Sequence, residues 1–149
     1  MDKLWIVVAN AARARVCERR PDGGLAEVAD LVHPESRQAG RDLAADRPGR
    51  AAMDMVDRTQ GRTAYEPPTD ARSKEHERFA REIAAFLEPE VGAGRCRTLW
   101  LLASPPFLGV LRAHLGDEAA RVLHDSRAVD LTSLPLHELR GRVDEMLRR

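Results

Sequence analysis

Lysine is almost missing: Lys3 and Lys74 are the only two among 24 basic residues, which leaves 22 arginines. Asp plus Glu also number 24, so the formal net charge is zero. A chain without charge of one sign is not a general polyanion wrapper, because nonspecific attraction to nucleic acid needs a net positive field. Cysteine is scarce too. Cys17 and Cys96 form no CxxC pair and fit neither a zinc spacing nor a disulfide framework, so a reducing compartment is expected, with one strand-edge thiol and one buried. Aromatic residues make up 4%. Few rings are therefore free to stack on single-stranded bases. No apolar run approaches the ~18 residues of a membrane span, and Leu4–Ala9 is too short for a secretory core. The expectation is a cytoplasmic protein without membrane contact.

With 43% hydrophobic residues and 149 in all, the chain can build one self-sufficient core. A single domain over 1–149 is expected. Leu4–Ala9 is a continuous β-branched and aromatic run, the signature of a strand buried on both faces. Residues 12–17 alternate and predict a second strand with one wet face. Pro21-Asp22-Gly23-Gly24 then marks a turn; Leu25, Val28 and Leu31 also match a short helix, but the turn favours a third strand over Leu25–Val32. A long loop with little periodicity runs over about 35–68. A helix is predicted from about Thr69 to Glu88, with Thr69, Asp70 and Ser73 as possible caps. Phe79, Ile83, Phe86 and Leu87 form its apolar stripe, and Glu88-Pro89 with Gly92 and Gly94 ends it. Leu99–Ala103 reads as another buried strand. Ser104-Pro105 opens a helix to about Leu115, and Gly116-Asp117 begins a short connection. A weakly signalled strand covers 122–129. Ser133-Leu134-Pro135 opens the last helix, with Leu136, Leu139, Val143 and Met146 on its buried face. Three strands joined by tight turns imply an antiparallel meander, and the later strand–helix alternation implies parallel crossovers. The expected class is α/β: a mixed sheet of about five strands with helices packed on it.

No catalytic constellation stands out. Leu4–Ala9 carries no carboxylate for two-metal cleavage, GxSxG and P-loop patterns are absent, and no HExxH or close HxH pair occurs. His33, His76, His114, His124 and His137 read as solvated helix histidines. No cofactor, metal or catalytic residue is therefore assigned. Ser104 is a helix cap first and, more weakly, an anion-holding position at a helix start. The loop carries the sharper candidates. Arg47 and Arg50 flank Pro48-Gly49, whose restricted turn presents two guanidinium groups at a set spacing suited to phosphate oxygens. Arg58, Gln60 and Arg62 add further contacts to RNA backbone. Surface pairing with Asp46, Asp54 and Asp57 is the plainer account of the same arginines.

Three motifs carry a resemblance. Asp46-Arg47-Pro48-Gly49-Arg50, Lys74-Glu75-His76-Glu77-Arg78-Phe79-Ala80 and Ala103-Ser104-Pro105-Pro106-Phe107-Leu108-Gly109 resemble, in that order, the bacterial host-attachment protein family. The likeness covers nearly the whole chain. More distantly, the order of elements is similar to the middle domain of archaeal and eukaryotic peptide-chain release factors. That likeness implies a ribonuclease-H-like fold. The release-factor loop carries Gly-Gly-Gln, whereas this loop offers Thr59-Gln60-Gly61-Arg62. The resemblance thus implies a ribosome- or RNA-associated accessory protein without peptide release. The other reading is a protein partner or homodimer, needed indirectly for attachment, with no nucleic-acid contact.

Overall fold

The computed structural model describes residues 3–34 and 66–148. Five strands form one sheet: β1 (Leu4–Ala9), β2 (Arg13–Arg19), β3 (Leu25–Val32), β4 (Thr98–Ala103) and β5 (Leu123–Ala128). Their spatial order is β3-β2-β1-β4-β5. The first three pair antiparallel, while β1–β4 and β4–β5 are parallel. Helices α1 (Glu66–Gly92), α2 (Pro105–His114), α3 (Asp117–Val122) and α4 (Leu136–Leu147) complete the fold. The mixed α/β sheet expected from the element order is what forms.

β1 is central because it has no polar face to offer water. Trp5, Val7 and Ala9 join one core with Phe79, Ile83 and Leu87 of α1, Phe107 and Leu111 of α2, and Ala119 of α3. Leu4, Ile6 and Val8 join a second core on the opposite face, with Leu139 and Val143 of α4. The period-two alternation of a strand divides one hydrophobic run between two cores. The apolar stripes expected for α1 and α4 face these cores.

Several expectations need correction. β2 has no wet face. Arg15 is only 6% exposed and Cys17 is fully buried, because α4 and the chain leading into it cover that side. Cys17 is therefore no strand-edge thiol. Burial raises both cysteines to about 11, leaving protonated thiols that react poorly. α1 starts at Glu66, so Thr69, Asp70 and Ser73 lie within the helix and not at its N-cap position. Pro67 and Pro68 fit its first turn, where amide hydrogens have no helical acceptor anyway. The helix also passes Pro89. It ends where Gly94 takes a positive φ of 83°, the left-handed turn glycine allows, with Arg95 donating back to the Glu90 carbonyl at 3.0 Å.

The expected connection after Gly116 is helix α3. Its N-cap, Gly116, has no side chain, and the cap comes instead from α1. The Glu88 carboxylate accepts hydrogen bonds from the amides of Glu118 (2.8 Å) and Ala119 (3.1 Å). A negative group also suits the positive end of a helix. A methyl group on Gly116 would meet that carboxylate at 2.9 Å or less. Glu88→Ala and Gly116→Ala should each lower stability by about 1–2 kcal/mol, as read by urea unfolding. The double variant should cost little more than either alone, since both remove the same two bonds. Full additivity would show that the cap is not shared.

Candidate functional site

The carboxyl ends of β1 and β4 lie side by side. After β1 the chain turns back into antiparallel β2, whereas after β4 it enters α2. Such a divergence opens a crevice beyond the strand ends, where open α/β sheets take ligands. Here the crevice is a cavity of about 310 Å³, lined by Asn10, Ala11, Ala12, His76, Ser104, Pro106 and Phe107.

Asn10 is a structural post. Its side-chain oxygen accepts the amides of Ala12 (2.8 Å) and Arg13 (2.9 Å), shaping the turn into β2. Its side-chain nitrogen donates to Asp130 Oδ2 and to Thr132 Oγ1, both at 3.0 Å. Both hydrogens and both lone pairs of the amide are thereby used. Burial pushes the Asp130 carboxyl up, but hydrogen bonds from the Thr132 amide, Asn10 and the Thr132 hydroxyl outweigh it and hold it below the usual carboxylate range. This network ties the mouth of the cavity to the chain after β5.

Ser104 stands at the N-cap position of α2, but its hydroxyl makes no cap bond. Its carbonyl accepts the amides of Phe107 and Leu108, both at 2.9 Å. Pro105 and Pro106 carry no N–H. The start of α2 therefore aims few free donors outward, a poor surface for an anion. His76 comes from α1 and sits edge-on to Phe107, with ring centroids 6.0 Å apart. Burial first, then the Arg72 charge and His33, hold its pKa below the ordinary histidine value. The imidazole is accordingly neutral at pH 7.

The histidines are not the uniform solvated set expected. His33 is 1% exposed and follows β3. Its Nε2 lies 2.7 Å from Glu75 Oε1, its Nδ1 lies 3.8 Å from Glu82 Oε2, and its ring stacks on Phe79 at 5.1 Å. Its amide donates to the Ala12 carbonyl at 2.9 Å. His114 bonds the Val110 carbonyl, and His124 lies on β5 against Trp100. Only His137 is a solvated helix histidine. Tertiary packing, which no local pattern reports, separates them. Among the described residues, no group of three or more His, Cys, Asp or Glu side chains is placed to hold a metal ion.

Arg47, Arg50, Arg58, Gln60 and Arg62 lie outside the described residues. The points where the chain leaves and returns are described. It leaves after β3 at His33-Pro34, at the same end of the sheet as the cavity, and returns into α1. The His33–Glu75 contact joins the two sides. Sequence reading missed His33 and Asn10; the position of His33 between a strand and a proline was the one available signal.

No helix among the described residues is long and apolar enough to cross a membrane. No curated protein matches the chain. Among solved structures, it is similar to the crystal structure of an archaeal translation termination factor, aRF1, at 8% identity and a TM-score of 0.47. That match covers 97% of this chain and 39% of the factor, so the chain spans well under half of that protein's length. A family model described as "Protein required for attachment to host cells" matches residues 5–143, and the chain belongs to that family.

Proposed function

We propose that this chain is a non-enzymatic cytoplasmic binding domain that contacts ribosomal RNA through the arginine-bearing segment, as an accessory to translation. The observation that carries the reading is the tether. His33 and Glu75, 42 positions apart, meet at 2.7 Å beside the strand ends. That contact joins the end of β3 to α1, the two sides of the intervening chain. Arg47, Arg50, Arg58, Gln60 and Arg62 all fall between them. Restricting the ends of such a segment lowers the entropy lost when it binds. Arginine is suited to phosphate because its planar fork presents paired donors. Catalysis finds less support, since Asn10 is saturated and the start of α2 lacks the amides an oxyanion would need.

Co-sedimentation with ribosomes across a salt series tests this. Binding should weaken with salt. Arg47→Ala/Arg50→Ala should lower affinity about tenfold or more and flatten the log–log salt slope by about 1.5, as expected for two lost phosphate contacts. No binding at low salt overturns the reading. The family description favours a second one, in which the domain holds a protein partner and supports host attachment indirectly. Pull-down of a protein by both wild type and double variant, without ribosomes, would decide for it.

A further inference from the structure

The cavity at the strand ends offers chemistry unlike that of the arginine-bearing segment: its described lining is Asn10, Ala11, Ala12, His76, Ser104, Pro106 and Phe107. We propose that it binds a neutral, planar nitrogen heterocycle of the nucleobase kind, its ring against the apolar walls and its polar edge on Ser104 and His76. The walls come from Ala11, Ala12 and Pro106; Phe107 also borders the space, but its ring is fully buried. Among the described residues, no arginine, lysine, aspartate or glutamate lines the space. A charged ligand would be stripped of water there without a counter-charge. The two prolines opening α2 remove the first amides an anion would use.

Two polar side chains in the lining remain open. The Ser104 hydroxyl makes no hydrogen bond among the described residues, and neither does the His76 imidazole. Each can donate and accept, His76 because it is neutral. A purely apolar ring would cover both and leave them unsatisfied, at a cost. A sugar would turn several hydroxyls against alanine, proline and phenylalanine. A flat heterocycle with adjacent donor and acceptor atoms satisfies both conditions. The volume, about 310 Å³, lies at the small end for ligand sites and suits one or two fused rings. Asn10, spent on its own network, holds the rim in shape. The heterocycle has two possible sources, a free nucleoside or an unstacked base of a single-stranded RNA.

The test is a titration of the full chain, followed by amide NMR, with adenosine, cytidine, guanosine and uridine as probes and ribose as control. At least one nucleoside should shift the amides of Ala11, His76 and Phe107, with a dissociation constant of about 1 mM. Ribose should not. Ser104→Ala and His76→Leu should each weaken binding about tenfold; using two variants guards against one that misfolds. No shift at these amides with any nucleoside overturns the proposal, as does equal binding of ribose or undiminished binding by both variants. A tri-ribonucleotide of the best base identifies the source. Tighter binding than its nucleoside points to RNA, and equal binding points to a free heterocycle. Nucleoside titration and ribosome co-sedimentation are separate readouts, so this proposal and the ribosome reading fail independently.

Discussion

Replacing Phe79 with alanine should lower the unfolding free energy by about 4 kcal/mol and the melting temperature by roughly 12 °C. The ring is fully buried and lies between two others: His33 at 5.1 Å and Phe107 at 5.8 Å between centroids. It therefore joins α1 to α2 and to the end of β3 at once. Its loss removes a large transfer term and two stacked contacts, each worth about 0.5–1.5 kcal/mol beyond area. The resulting hole would adjoin both the His33–Glu75 contact and the Phe107 wall of the cavity. Domains of this size are stable by about 5–15 kcal/mol, so the variant would lose a large share. Phe79→Leu, which keeps most of the volume, should cost about 1–1.5 kcal/mol. Urea unfolding of both variants decides. A loss below about 2 kcal/mol for alanine would mean that this junction is not packed as described.

Arg15→Leu should cost about 3 kcal/mol, unusually much for an arginine on a strand. Its guanidinium donates to the carbonyls of Thr132 (3.1 Å) and Leu134, and its Nε lies 3.1 Å from Glu27. The Glu27 side chain is 35% exposed, so water can replace that partner and the ion pair itself is worth little. The carbonyls differ. They belong to the backbone of the chain entering α4, and no substitution removes them. An apolar replacement leaves them buried without donors, whereas a wholly side-chain ion pair can be exchanged for hydrophobes at little cost. Arg15→Lys should recover less than half, since one ammonium group cannot reach three acceptors in the same fork. Hydrogen exchange should also quicken in α4 before the rest of the fold opens. A neutral Arg15→Leu would show that the arginine is not what holds this crossing.

Local patterns carried most of the architecture. Leu4–Ala9 and Leu99–Ala103 are apolar on both faces, so they could only be interior strands. Phe79, Ile83 and Leu87 recur at helical spacing, so their helix could only lie on the sheet. The helix α3 was not legible, because its cap is a carboxylate about 30 residues away. β2 was misread as half wet for the same kind of reason. Arg13, Arg15 and Cys17 look like a solvent face until α4 is laid over two of them.

The site divides along the same line. Composition, the lack of lysine and of a carboxylate-bearing first strand, the order of elements and the three family motifs were all properties of the sequence alone. They follow from chain-local physics: hydrophobic period, proline and glycine geometry, and charge count. What the tertiary structure alone decided is which polar groups meet. It buried His33 against Glu75 and kept the Ser104 hydroxyl free of its own helix. It saturated Asn10, and it placed a neutral His76 beside Phe107 at the strand ends. Such pairings join residues about 30 to 120 positions apart. Contact and desolvation at that range depend on how the layers close, which no short window of sequence records.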